Sequence, residues 1–243
     1  MSVGTVKKLL SFKEKQIQEK ARDYKKLLVL CTVYTCYALI GSPIVKLIAN
    51  PAVEGYYVIG YMVLTLYILY CTFDMLKNFT QSKFLLNFTF VMMFGGVVFG
   101  VLANSFFAVS HEGYLYEILL TLSLGSSVYG TGIMLYYMMK DIFSEKHEIV
   151  YSLFGAAVIY GVISISFACL FGIFQIYIPD GLGVADAVGV YNYINCVKLS
   201  FYVISGMDSP FPNAHELFVN TAAIESFFAN LYIVLVVGKL LSK

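Results

Sequence analysis

The sequence predicts an all-α, polytopic membrane protein with six transmembrane helices, and three observations lead to this fold class. First, 59% of the 243 residues are hydrophobic and only 13% are charged, whereas soluble domains are typically about 45–50% apolar and about 25% charged. Second, apolar runs near or above the ~20 residues that cross a bilayer recur along the chain. Third, the charged residues cluster between these runs.

Each predicted span follows the extent of an apolar run. The six spans are residues 27–49, 55–73, 84–109, 114–139, 149–178 and 217–241. Residues 1–26 precede them and combine many Lys and Glu residues with apolar residues spaced three, four or seven apart. This pattern predicts a cytoplasmic amphipathic helix. It either lies on the inner leaflet, where its basic residues meet anionic lipid, or stays solvated and only sets the topology.

The distribution of Lys and Arg predicts the orientation, because cytoplasmic loops are enriched in both. Basic residues lie in the N-terminal segment and in two connections, which contain Lys77, Lys83, Lys140 and Lys146. The alternate connections contain mainly acids: Glu54, Glu112, Asp180, Asp186, Asp208 and Glu216. Lys46 and Lys198 depart from this pattern. Both termini are therefore predicted to be cytoplasmic, with the chain in the plasma (cell inner) membrane.

The connection between the fifth and sixth spans is too apolar for an external loop. Its middle part, residues 188–204, is apolar and aromatic yet short for a full crossing. Pro210 and Pro212 prevent this helix from continuing into the next span. Non-helical backbone within a membrane is tolerated only where it is buried in protein or lines water. We therefore expect a re-entrant half-helix, whose C-terminal dipole favours cations, followed by an extended return.

Three segments resemble the potassium-channel-like pore domain of prokaryotic ion channels. They are EIVYSLFGAAVIYGVISISFACLFGIFQ, SFYVISGMD and IESFFANLYIVLVVGKLL. The matching positions are Gly155, Ala156 and Tyr160 in the first segment, and Glu225, Leu231, Tyr232, Lys239 and Leu240 in the third. The resemblance covers residues 148–243 and implies an outer helix, a pore helix, a filter-like loop and an inner helix. Residues 27–147 form a separate four-helix region without the spaced arginines of a voltage sensor.

The filter-like loop departs from the family pattern, which reads roughly T-[VL]-G-[YF]-G-D. Aligned on Asp208, the threonine position holds Val203, and the two glycine positions hold Ser205 and Met207. A residue other than glycine costs about 1 kcal/mol or more in the left-handed conformation. We therefore expect cation permeation without strict potassium selectivity. The resemblance implies that the pore-lining residues are Tyr202, Val203, Ile204, Ser205, Gly206, Met207 and Asp208.

Polar residues within the predicted helices are further site candidates. Lys198 lies in the pore helix, and Glu225 and Asn230 lie in the inner helix. A buried pairing of Lys198 with Glu225 is one hypothesis, because either charge alone would be costly in a bilayer. The alternative is that Glu225 is protonated or bonded to helix hydroxyls. Asp208 either forms an acidic ring that attracts cations or is a solvated turn residue.

The predicted function is passive ion conduction by a homotetramer, because one pore loop cannot enclose a path. Its partners would be other copies of the chain, the lipid bilayer and a permeant monovalent cation, with no cofactor and no metal site. The net charge of +1 gives no indication of nucleic-acid binding. The alternative is a non-conducting membrane scaffold or regulatory subunit. An enzyme is not expected, because no His–acid pair, metal-ligand cluster or activated nucleophile is apparent.

Overall fold

The computed structural model describes residues 3–48, 50–80, 82–106, 113–144, 149–184 and 190–241, which are helical apart from short connections. The α-helices are α1 (Val3–Cys36), α2 (Ser42–Ile48), α3 (Pro51–Phe79), α4 (Lys83–Phe106), α5 (Tyr114–Ser144), α6 (Ile149–Tyr177), α7 (Val190–Ile204) and α8 (Glu216–Leu241). A short π-helical stretch, Tyr37–Gly41, joins α1 to α2. The predicted boundary at residues 147–148 lies outside the described residues.

Six stretches of helix are long and apolar enough to cross a membrane. They are Gln18–Val45, Ala52–Phe79, Lys83–Ala103, Tyr114–Phe143, Tyr151–Tyr177 and Glu216–Lys239. These helices confirm the predicted helical membrane protein and its six spans at the level of length and composition. The last three predicted residues of the third span, 107–109, lie outside the part of the chain that the structure describes.

The first helix continues through the boundary predicted at residue 26. Helix α1 extends from Val3 to Cys36 without a break, and its candidate span begins at Gln18. Tyr24 and Leu27 are buried in the main hydrophobic core. Helical spacing places these two apolar side chains on one side of α1, while the adjacent Lys25 and Lys26 are exposed. The charged segment before residue 27 is therefore partly integrated into the bundle.

A buried ion pair joins α1 to α5. The Lys20 ammonium nitrogen lies 2.5 Å from Asp141 Oδ1, and these side chains are only 12% and 5% exposed. The Tyr151 hydroxyl on α6 donates to Asp141 Oδ2 at 2.5 Å, and Tyr24 donates to the same oxygen at 3.4 Å. The Lys20 ammonium also lies 4.9 Å from the ring centroid of Phe79 on α3. Four helices therefore meet around one charge pair.

Small residues allow α4 to approach α5 closely. A Cβ added at Gly96 would meet the Ser126 side chain, and one added at Gly100 would meet Ser123. Small residues at such contacts are typical of helix pairs in membranes, where close packing replaces the hydrophobic effect as the driving force. The α4–α5 contact is therefore stabilised mainly by van der Waals packing.

Helix α6 lies at the centre of the bundle and packs against α1, α5, α7 and α8. Its residues Val158, Ile159, Ala168 and Phe171 have no exposed surface. A helix that is apolar on all sides can be surrounded in this way. Because α6 contacts both α7 and α8, it determines where those two helices lie.

Helix α8 is buried along one face only. Its buried residues are Phe218, Glu225, Ala229, Tyr232 and Val236. Intervals of seven, four, three and four residues place them on one side of the helix, against α6 and α7. The opposite side, which includes Phe227 and Val234, is exposed in the single chain. That face is available to lipid or to another subunit.

Candidate functional site

Helix α7 is a half-length helix that packs antiparallel to α6. At 1.5 Å per residue, α7 is about 22 Å long and α6 about 43 Å long. Successive residues of α7 contact residues that lie progressively closer to the start of α6, so the two helices are antiparallel. Three polar contacts lie along the shared side: Cys169 with Tyr193, Ser164 with Ser200, and Tyr160 with the Ile204 carbonyl.

The end of α7 lies deep beside α6. The Ile204 carbonyl accepts a hydrogen bond from Tyr160, about 25 Å before the C-terminal end of α6. The chain then turns back, because Phe211 packs with Phe171 and Phe218 near the start of α8. Helix α7 and residues 205–211 therefore form a hairpin that extends beside about half of α6 and returns. We call residues 205–208 the hairpin tip.

A Schellman motif ends α7. The N–H of Gly206 donates to the Val203 carbonyl at 3.1 Å, and the N–H of Met207 donates to the Tyr202 carbonyl at 3.0 Å. Gly206 has a φ of 70°, the left-handed conformation that this motif requires and that glycine adopts without steric cost. The single glycine of the filter-like sequence therefore serves as the C-terminal cap of a helix.

This cap corrects the expected path of the filter-like loop. Tyr202, Val203 and Ile204 belong to the last turn of α7, whereas the sequence aligns Val203 and Ile204 with an extended filter. The carbonyls from Phe201 to Ile204 all accept hydrogen bonds within the chain. Stacked free carbonyls are what a potassium filter uses to replace the ion's hydration shell. The non-helical return begins at Ser205, because Gly206 in the left-handed conformation ends the helix.

The hairpin tip is exposed in the single chain. Ser205, Gly206, Met207 and Asp208 are all exposed, and Met207 retains 62% of its accessible surface. The tip follows the C-terminal end of α7, where the helix dipole is negative. The Asp208 carboxylate adds negative charge on the returning arm. This combination favours a cation and disfavours an anion near the tip.

Behind the hairpin, three helices meet at a buried polar cluster formed by Ser164, Ser200 and Glu225. Ser200 Oγ lies within hydrogen-bonding distance of Glu225 Oε1, and it lies 2.7 Å from the Ser164 carbonyl oxygen and 2.8 Å from Ser164 Oγ. None of the three side chains has exposed surface. The second carboxyl oxygen of Glu225, Oε2, has no hydrogen-bond partner in the described part of the chain.

In this cluster Glu225 contacts the Ser200 hydroxyl and not the Lys198 ammonium. Among the described residues, Glu225 forms its hydrogen bond with Ser200 and no ion pair with Lys198. Lys198 lies two residues before Ser200, which places it on another side of α7, where it is partly buried. The pairing hypothesis is wrong, and the alternative that Glu225 bonds to helix hydroxyls is confirmed.

The remaining candidate, Asn230, lies outside the hairpin. It is exposed on α8, and its side-chain amide donates to Ser226 Oγ at 3.4 Å. Ser164 and Ser200, the partners of Glu225, are not among the site residues that the sequence predicts. Their signal was a serine hydroxyl within each of two mostly apolar helices, and it becomes informative only once the antiparallel register of α6 and α7 is known.

The described residues contain no group of three or more His, Cys, Asp and Glu side chains that could hold a metal ion. All five cysteines are free; Cys31, Cys71, Cys169 and Cys196 are buried, and Cys36 is exposed. No protein-family model matches the chain, and comparison with curated proteins and with solved structures finds no match.

Proposed function

We propose that the chain is the subunit of a passive, cation-conducting channel, and the hairpin between α6 and α8 is the observation that supports this most directly. Helices α6 and α8 are long enough to cross a bilayer, whereas α7 is about 22 Å long. In a membrane such a hairpin is re-entrant, and its non-helical backbone must be buried or in contact with water. The exposed tip at Ser205–Asp208 is the part that water and ions would reach.

Assembly as a homotetramer would place four hairpin tips around one axis. A single hairpin forms only one wall of a permeation path, and in a cyclic assembly the other subunits would form the remaining walls. The exposed face of α8 carries Asn230 among apolar residues, next to the half-buried Ser226. Polar side chains in a membrane helix are costly towards lipid and satisfied towards a water-filled cavity. This favours an arrangement in which the side of α8 that carries Asn230 faces the central path.

The charge distribution supports cation permeation and a cytoplasmic location for one end of the helix bundle. Lys20 and Lys239 lie at one end of the bundle, where Lys239 donates to the Phe143 carbonyl at 3.0 Å. That end would be cytoplasmic in the plasma membrane, with both termini inside. Because the last four carbonyls of α7 are occupied within the chain, the tip discriminates by charge. We expect potassium and sodium to permeate with similar ease and chloride to be excluded.

Ion flux into liposomes that contain the purified tetramer tests this proposal, with Asp208→Asn as the variant. Potassium and sodium gradients should drive flux, and a chloride gradient should not. Asp208→Asn should lower cation flux several-fold, because it removes the carboxylate from the hairpin tip. The matched control is Asp180→Asn, which removes another exposed carboxylate, from the turn after α6. Equal effects of the two substitutions would contradict a path along the tip.

One observation favours a second candidate function, a non-conducting scaffold or regulatory subunit. The internal hydrogen bonds of the carbonyls from Phe201 to Ile204 leave the end of α7 without free carbonyl ligands for an ion. A hairpin that only stabilises packing needs none. The same experiment distinguishes the two: folded, tetrameric protein that gives no flux above empty liposomes supports the scaffold.

A further inference from the structure

The cluster of Ser164, Ser200 and Glu225 lies behind the hairpin tip and takes no part in the proposed path. It joins helices α6, α7 and α8, because Ser164 belongs to α6, Ser200 to α7 and Glu225 to α8. Each contact connects two oxygen atoms, so each requires one hydrogen atom between them. The number of hydrogen atoms that these contacts require therefore determines whether the Glu225 carboxyl is protonated.

Ser200 Oγ makes three close contacts: with Glu225 Oε1, with the Ser164 carbonyl oxygen and with Ser164 Oγ. A carbonyl oxygen can only accept, and an ionised carboxylate can only accept. The two serine hydroxyls supply one hydrogen each, which satisfies two contacts. The third hydrogen must come from the carboxyl group itself.

We propose that Glu225 is a proton-binding site within the membrane. In its protonated form, Glu225 Oε1 donates to Ser200 Oγ, Ser200 donates to the Ser164 carbonyl, and Ser164 Oγ donates to Ser200. Ser200 then makes one donated and two accepted bonds, which is the full capacity of a hydroxyl. The remaining oxygen, Oε2, is left as a neutral carbonyl-type oxygen, for which a missing partner is far less costly than for an ionised one.

The surroundings of Glu225 are consistent with a neutral acid. On α6, the nearest titratable group along the helix is Tyr160, whose hydroxyl already donates to the Ile204 carbonyl. On α7, Lys198 lies on a different side from Ser200 and forms no ion pair with Glu225. On α8 itself, Tyr232 donates to the Ala156 carbonyl at 3.2 Å. Among the residues that the structure describes, no cation therefore forms an ion pair with Glu225, and loss of the proton would loosen α7 from its neighbours.

Infrared difference spectroscopy in ¹H₂O and ²H₂O tests the proposal directly. Wild-type protein in liposomes should show the carbonyl stretch of a protonated carboxyl at neutral pH, where exposed carboxyls of ordinary acidity are ionised. Glu225→Gln should lose this band, and Asp208→Asn should retain it. A wild-type spectrum identical to that of Glu225→Gln would overturn the proposal. The readout does not depend on conduction, so failure of the channel proposal would leave it intact.

A second variant keeps the test decisive if Glu225→Gln does not fold. Ser200→Ala removes the acceptor for the Glu225 proton but leaves the carboxyl group in place. The band should then move to higher frequency, as for a carboxylic acid that has lost its hydrogen bond. An unshifted band would assign the protonated carboxyl to another residue and overturn the proposal.

The thermal stability provides an independent check. The melting temperature of the wild type should fall as the pH rises from about 5 to about 9, because the folded state holds a proton that the unfolded state releases. Glu225→Gln keeps a neutral donor to Ser200 and has no proton to lose, so its melting temperature should change less over that interval. Parallel curves for the two proteins would also contradict the proposal.

Discussion

At the scale of single residues, hydroxyl groups on α6 hold α7 in place. Tyr160 donates to the final carbonyl of α7, and Ser164 contacts Ser200 one turn earlier. Hydrogen bonds between membrane helices contribute about 0.6 kcal/mol on average, with a maximum near 1.7 kcal/mol. Each contact is therefore modest, and together they determine how deeply the short helix is seated.

We expect Tyr160→Phe to lower the free energy of unfolding by about 1 kcal/mol, because it leaves the buried Ile204 carbonyl without its donor. Equilibrium unfolding in mixed micelles measures this change. Tyr202→Phe is the matched control, since Tyr202 lies on the exposed side of α7, close to Ile204. Similar losses from the two substitutions would show that the hydroxyl of Tyr160 does not secure the end of α7.

At the scale of elements, the sequence predicted α7 well, but not how it ends. The apolar residues 188–204 and the two prolines that follow identify a short helix and a return, and the helix was found at Val190–Ile204. The alignment to a filter assigned the last turn of this helix to an extended strand. Gly206 is compatible with both interpretations when taken alone. The helical ending became clear only from the Schellman hydrogen bonds of Gly206 and Met207.

Gly206→Ala is expected to destabilise the protein by about 1 kcal/mol, because alanine disfavours the left-handed conformation of the cap. Equilibrium unfolding again measures the change. Gly125→Ala, within α5, is the control. An added Cβ meets no atom within 4 Å at either glycine, so the pair isolates the backbone effect from packing. Gly125→Ala should be neutral or stabilising, as expected for a helix interior. Equal destabilisation at both positions would exclude the cap as the cause.

At the scale of the whole molecule, the six spans were predictable, but the contacts between them were not. A span follows from the length of an apolar run, which is a property of one segment. The partner of Glu225 follows from the register of three helices, which a single sequence does not display. The same limitation applies to Lys20, which the sequence assigned to a cytoplasmic amphipathic helix, although it pairs with Asp141 in the bundle.

A double-mutant cycle at Lys20 and Asp141 tests whether this pair secures the bundle. Lys20→Met and Asp141→Asn should each cost about 3–5 kcal/mol, because each leaves a buried charge without its partner. The double variant should cost much less than the sum of the two, giving a large coupling energy. The control cycle uses Asp74 and Lys77, an exposed pair at 3.3 Å on α3, for which we expect about 0–1 kcal/mol. Comparable coupling energies in the two cycles would contradict a special role for the buried pair.

The Lys20–Asp141 pair also has a consequence for biosynthesis. The two residues are 121 positions apart in the sequence. At typical rates of translation, the ribosome therefore needs on the order of ten seconds to make Asp141 after Lys20. During that interval Lys20 lacks its partner Asp141, so this end of α1 cannot reach its final packing until α5 has been made. The helix that is synthesised first would then be among the last to lock into place.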